Sequence, residues 1–323
     1  MDRNEFRILK SLHKSKQILY SVPAYFREVS RLEKPGDLYD WAYYKFPNLF
    51  PLAELPPYIT IELTNQCNLS CRHCWRNTMT RQVGYMNTTL FEQIVQEVSL
   101  WKPKLFKIGG SGEPALHPRF DELMTRLTFA PLRVIVYTNG TLLRLFSHKD
   151  ILSWKLDTIV VSVDGLDATS YEKIKLGSNY SEVRKLVSDF CDNRNSLHRE
   201  WPDIEVRHIM MPHESARELL EFQRDWLRLA DTVRFNNLEP ANGLSDFEDI
   251  SPPKCRSIRR EIAIQWDGRV PLCGGYRNKY LGNVKDSSIA ELWRHPLLEK
   301  LRRCNTRREF SDAPLCRRCC RCR

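Results

Sequence analysis

The sequence predicts an α/β fold with a parallel sheet, preceded by a helical segment and followed by a smaller module. Three observations carry that prediction. Between residues 56 and about 240, six apolar segments of strand length alternate with segments of helical period, the pattern of strands joined by crossover helices. Most of the eleven cysteines fall in two places, one directly behind the first strand and the other towards the C-terminus. Pro252-Pro253 marks the point where the alternation stops.

In chain order, residues 1–55 read as a helical extension. Phe6, Ile8, Leu9, Leu12, Ile18 and Leu19 recur near helical spacing with Lys and Arg between them. Pro35-Gly36 breaks the run, and Trp41, Tyr43, Tyr44 and Phe46 form an aromatic patch. The segment lacks a long uninterrupted apolar face, so we expect a cap on the open side of the fold rather than a membrane-surface helix. Residues 56–250 form the α/β core, with strands expected at 58–63, 104–109, 132–138, 157–163, 204–211 and 232–238. Helices are expected at 88–101, 118–128, 141–153, 180–195 and 214–229. Residues 251–323 form the smaller module. There Gln265-Trp266-Asp267-Gly268-Arg269 reads as a hairpin turn through Asp-Gly, and a helix from about Ser287 to Arg303 precedes a Cys/Arg-rich tail.

Composition narrows the function classes. The apolar stretches are of strand length and none spans a bilayer. With no signal peptide, the cysteines point to a reducing cytoplasm and to metal binding rather than disulfides. The formal charge of +10 invites a nucleic-acid hypothesis. The charge is uneven, however: Arg294 to Arg323 holds ten Arg and Lys against three Asp and Glu. Iron–sulfur clusters bound by thiolates carry negative charge that such residues offset. A non-catalytic iron–sulfur or zinc protein that binds nucleic acid is therefore the competing class, and a substrate with phosphate or carboxylate groups is favoured over it.

The chemistry centres on Cys67, Cys71 and Cys74, spaced C-x3-C-x2-C. Four cysteines are the usual ligand set of a 4Fe–4S cluster, so three leave one iron for something else. Structural zinc takes two paired units at a distance, which this triplet does not resemble. The loop resembles that of the radical S-adenosylmethionine (SAM) enzymes, which follows the first strand of a partial (β/α)6 barrel. That resemblance implies that the open iron binds the amino and carboxylate groups of SAM. It also implies that an electron from the cluster, delivered by a cytosolic donor such as flavodoxin or ferredoxin, splits SAM into methionine and a 5′-deoxyadenosyl radical.

Further motifs fit the same family. Gly109-Gly110-Ser111-Gly112-Glu113-Pro114 resembles its glycine-rich segment after the second strand, which implies SAM contacts at Gly112 and Glu113. Asn139, at the end of the third strand, and Ser162 and Asp164, at the end of the fourth, place small polar groups at the barrel mouth. Ser162-Val163-Asp164-Gly165 is similar to the family's ribose-contacting run. The competing use of Asn139-Gly140 and Asp164-Gly165 is turn formation and helix capping. His73 occupies the position of the residue that touches adenine. Arg207, His208 and Asn236 are candidates for binding substrate.

Cys255 and Cys273 flank the hairpin in a C-x12-G-x4-C pattern, and Cys316 and Cys319 form a C-x2-C pair. This resembles the SPASM domain, or its one-cluster form Twitch, and implies one auxiliary 4Fe–4S cluster. Zinc on the same thiolates is the alternative. Cys320 or Cys322 could replace Cys319, and Cys191 or Cys304 could donate hydrogen to a substrate radical. The resemblance implies an oxidoreductase or epimerase acting on a small polyol or aminosugar. Modification of a ribosomally made peptide is the second reading, although the N-terminal segment is too short for a winged-helix leader-peptide domain.

Overall fold

The computed structural model describes residues 51–238, 255, 257–274, 278–307, 309–313, 316 and 319. The helical reading of residues 1–50, the Pro252-Pro253 boundary, and Cys320 and Cys322 lie outside these residues.

Seven parallel strands form one sheet in the order β6-β5-β4-β3-β2-β1-β7. They are β1 (Tyr58–Ile61), β2 (Leu105–Ile108), β3 (Val134–Thr138), β4 (Thr158–Ser162), β5 (Asp203–Met210), β6 (Thr232–Asn237) and β7 (Glu261–Ile264). The fold is the α/β architecture of radical SAM enzymes, an open barrel with β6 and β7 at its edges. Successive residues along each strand alternate between two faces. Ile59, Ile61, Ile108, Val136, Ile159, Val161 and Val206 are buried against the helices. Thr60, Lys107, Tyr137, Glu205, Arg207 and Glu261 lie at the alternate positions that face the lumen, and several of them pair there: Lys107 with Glu261 at 3.3 Å and Thr60 with Glu261 at 2.5 Å.

The helices are α1 (Thr88–Trp101), α2 (Phe120–Leu127), α3 (Thr141–Leu145), α4 (His148–Ser153), α5 (Ala168–Ile174), α6 (Tyr180–Ser196) and α7 (Ala216–Trp226). In α1, Leu90, Phe91, Ile94 and Val98 form the buried stripe, and Asn87 caps the first turn by accepting from Thr89 N–H. The segment read as one helix over 141–153 is two. Phe146 is extended between them, and Ser147 restarts the second by capping Asp150 N–H.

Beyond β6 come α8 (Ser257–Arg260), β7, β8 (Arg269–Pro271), β9 (Tyr280–Asn283), α9 (Ile289–Trp293) and α10 (Pro296–Arg307). The Asp-Gly turn forms, with Gln265 N–H donating to the Arg269 carbonyl at 2.9 Å. Its two arms, however, serve different sheets. β7 pairs in parallel with β1, whereas β8 pairs antiparallel with β9. The helix expected near 287–303 is interrupted after Trp293, and Pro296 opens α10.

Candidate active site

The three-cysteine loop leaves β1 through Glu62 and is pinned from several sides. Asn65, fully buried, donates to the Gln82 carbonyl at 2.8 Å and accepts from Gly84 N–H at 2.9 Å. Ser70 and Arg72 N–H donate to the Leu176 and Ile174 carbonyls at 3.1 and 3.0 Å, so the segment after α5 braces the loop along its length. Arg76 Nε holds the Asn65 carbonyl at 2.9 Å. Cys67, Cys71 and Cys74 are half-buried thiols in no disulfide. Burial pushes Cys67 up, and it pushes Cys71 up to about 11, against the pull of Lys175. Each of these two thiols also senses Cys74, so the three converge electrostatically. Cys67 Sγ accepts from Leu69 N–H at 3.5 Å and from Asn139 Nδ2 at 3.7 Å. Donors to sulfur of this kind favour an anionic cluster.

Gly112 is where the loop after β2 meets the cysteine loop. A Cβ there would stand 2.3 Å from the Gln66 carbonyl oxygen and 2.6 Å from that of Thr64, so only glycine permits the approach. Glu113 N–H donates to the same Gln66 carbonyl at 2.8 Å. The buried Glu113 carboxyl accepts from Thr138 Oγ1 at 2.8 Å and from Asn139 N–H at 2.7 Å. Burial pushes it up to about 7 against those bonds. Asn139 Nδ2 donates to Asn68 Oδ1 at 3.0 Å, while its Oδ1 accepts from Thr141 N–H at 3.0 Å at the start of α3. The ends of β2 and β3 are thus tied to the cysteine loop by side chains that the sequence singles out.

Ser162, Asp164 and His73 meet around a residue that sequence reasoning missed. Lys175, 2% exposed, donates from Nζ to the Ser162 carbonyl at 2.8 Å, to Ser162 Oγ at 2.9 Å and to Asp164 Oδ2 at 3.4 Å. His73 Nε2 lies 3.6 Å from the same Oδ2, and Asp164 Oδ1 accepts from Ile209 N–H at 3.1 Å. Burial opposes the Asp164 charge, but Lys175 and His73 overcome it and hold the carboxyl well below the usual range. Burial likewise opposes the Lys175 charge and is overcome by Asp164, so the lysine is raised. His73 Nδ1 is buried with no hydrogen-bond partner, a polar ring edge that a bound cofactor can satisfy. The one sequence signal for Lys175 is its setting between Ile174 and Leu176, just ahead of Gly177.

The substrate candidates separate. Arg207 sits in the lumen beside Glu205, with Tyr137 Oη at 3.2 Å and its guanidinium 5.0 Å from the Tyr137 ring. Asn236 is exposed at the end of β6. His208 does not reach the mouth. It is fully buried against the helix layer, bonded to Glu214 at 2.9 Å and to the Val163 carbonyl at 2.9 Å, with the Phe222 ring 4.8 Å away. Cys191 is buried on α6 among Asp231, Arg194 and Asp203. Asp203 opens β5 and Asp231 precedes β6, so the thiol is at the opposite end of the strands from the mouth.

In the C-terminal module Cys255, Cys273, Cys316 and Cys319 are brought together. The Cys316 thiol is pushed up to about 12 by burial first and then by Cys273, Cys255, Cys319 and Cys304. Cys304, on α10, thus joins the four thiols that the spacing identified. Among the described residues no group of three or more His, Cys, Asp or Glu is arranged to hold a single metal ion. A four-iron cube sets its ligands at separate corners and asks for wider spacing.

Fold and site together define an open parallel α/β barrel with a cysteine loop at its C-terminal mouth and a cysteine-rich module on its β7 edge. The Radical SAM superfamily matches residues 61–225 and the SPASM iron–sulfur cluster-binding domain matches residues 255–320, so the chain belongs to the radical SAM superfamily. It is a radical SAM enzyme with a SPASM domain, and its cofactors are a 4Fe–4S cluster, SAM and an auxiliary iron–sulfur cluster. A tungsten-containing aldehyde ferredoxin oxidoreductase cofactor-modifying protein of Pyrococcus furiosus is 25% identical over 73% of this chain and 80% of its own length. The antilisterial bacteriocin subtilosin biosynthesis protein AlbA of Bacillus subtilis is 25% identical over 79% of this chain and 62% of its own length. In fold the chain resembles Streptococcus suis SuiB bound to precursor peptide SuiA, with a TM-score of 0.62 at 15% identity over 83% of this chain and 70% of that one. Among the described residues no helix is long and apolar enough to cross a membrane.

Proposed function

We propose that this enzyme abstracts hydrogen from a ribosomally made peptide and so begins its modification. The similarity to the bacteriocin biosynthesis protein AlbA supports this reading over the small polyols and aminosugars that the sequence first suggested. Cys67, Cys71 and Cys74 would hold the cluster, which would supply the electron for reductive cleavage of SAM and with it the hydrogen-abstracting power of the enzyme. Asp164, fixed by Lys175, presents a permanent carboxylate beside His73, suited to orienting the hydroxyl groups and base of a nucleoside. Asn139 and Leu69 N–H place donors on Cys67 Sγ, and Glu113 braces the loop beneath. The Cys255, Cys273, Cys316 and Cys319 thiolates would hold the auxiliary cluster, which would supply an electron acceptor near the substrate. A flavodoxin or ferredoxin of the cytoplasm supplies the first electron.

The test uses anaerobically reconstituted protein, expected to carry about eight irons per chain and to release 5′-deoxyadenosine, with Cys71→Ala releasing none. Short precursor peptides encoded near the gene should raise that release above the substrate-free rate. If polyols or aminosugars stimulate it and peptides do not, the substrate is a small molecule. If neither the intact protein nor any mixture releases 5′-deoxyadenosine, the enzymatic reading fails as a whole.

A further inference from the structure

α10 buries Leu298, Leu301, Arg302 and Asn305, a stripe at helical spacing in which an amide stands where an aliphatic side chain would pack. Asn305 is 2% exposed. Its Oδ1 accepts from the backbone N–H of Cys255 at 2.8 Å. A backbone N–H can only donate, so the oxygen must face Cys255, and this fixes which way the amide points. The Nδ2 group, with two N–H bonds, is then directed elsewhere, and it is buried with no hydrogen-bond partner. Leaving a buried donor unsatisfied is costly, and such a group calls for a specific acceptor. The surroundings supply a candidate. Asn305 is bonded to the backbone of one cysteine of the auxiliary set and directly follows another cysteine, Cys304, in sequence.

We propose that Asn305 is a positioning and tuning residue of the auxiliary cluster, its Oδ1 holding the Cys255 backbone and its Nδ2 donating to a cluster or cysteine sulfur. The inference rests on Cys255, Cys273, Cys316 and Cys319 being the ligands. A donor to sulfur stabilises the more negative, reduced cluster and raises its reduction potential. The amide therefore makes the auxiliary cluster a better electron acceptor.

The experiment uses the full chain with Cys67→Ala, Cys71→Ala and Cys74→Ala, so that only the auxiliary cluster reports. Asparagine labelled with 15N in its side-chain amide is incorporated, and the reduced cluster is examined by pulsed electron paramagnetic resonance. A 15N coupling is expected, and it should vanish in Asn305→Leu and in Asn305→Asp. The midpoint potential should fall in both variants while about four irons per chain are retained. A chain that holds about four irons and shows no 15N coupling overturns the proposal, because the amide is then satisfied by water or a carbonyl. So does a potential that falls in Asn305→Asp alone, which would reflect the added charge. Should Asn305→Leu fail to hold iron, the coupling in the unsubstituted chain and its loss in Asn305→Asp decide the matter. A chain without iron before any change at Asn305 refutes the ligand set itself, and the proposal with it.

Discussion

A lysine shut away from water needs a counter-charge and acceptors at hand, and Lys175 finds them in Asp164 and the Ser162 oxygens. Removing one partner of such a pair leaves the other as an uncompensated buried charge, at a cost of about 3–5 kcal/mol. Lys175→Met should therefore destabilise the chain by about that amount in urea unfolding, and adding Asp164→Asn should recover much of the loss. The pH dependence follows from the two shifts. Asp164 is depressed, so its contribution is present above the ordinary carboxylate value of about 3.9 and is lost as pH falls. Lys175 is raised, so its contribution is present below about 10.4 and is lost as pH rises. The gap between wild type and Lys175→Met should accordingly be flat between those limits and shrink outside them. Equal stability of the two proteins at neutral pH would refute the account. Lys175 escaped the sequence reading because its partners are brought to it by the fold, whereas the cysteine triplet is a local spacing. His208 was misassigned for a simpler reason. Neighbours on a strand point to opposite faces, so with Arg207 in the lumen His208 had to face the helices.

Most elements were legible because each carries its own period. The six expected strands and α1, α6 and α7 show apolar faces that need no tertiary context. α5 was missed since it buries Tyr171 alone and has no stripe to read, although the Asp167–Ser170 capping box marks its start. The break between α3 and α4 was equally invisible, because only two extended residues, Phe146 and Ser147, separate two helices that share one apolar pattern. Site geometry depends on how these elements end, and the loops after β1 and β2 depend on each other. Gly112→Ala forces backbone apart at Gln66 and Thr64, where no side-chain rotation relieves the overlap. It should cost the protein its first cluster and spare the second, reducing reconstituted iron from about eight to about four per chain. Retention of the full complement, with undiminished SAM cleavage, would show that the two loops can separate without harm.

At the scale of the whole molecule, the C-terminal module contributes a strand to the barrel it follows. β7 covers one side of β1, and the other side carries β2. A chain ending at residue 254 would turn β1, the strand that carries the cysteine loop, into an open edge with unpaired N–H and C=O groups. Such a chain should aggregate or melt well below the full protein, as size-exclusion chromatography and thermal scans would report. A monomer with an unchanged melting temperature would mean that the barrel stands alone. The same pairing has a mechanical consequence. Ile61 and Ile264 are neighbours in the ladder, Glu62 N–H donates to the Ile264 carbonyl at 2.9 Å, and Trp266 N–H reaches the Glu62 carboxylate at 3.4 Å. The cysteine loop and the turn into the second module therefore leave one rigid ladder side by side. The start of the cysteine loop and the turn that leads towards Cys273 are thus held in one register, so a shift of the paired β1 and β7 would move both together.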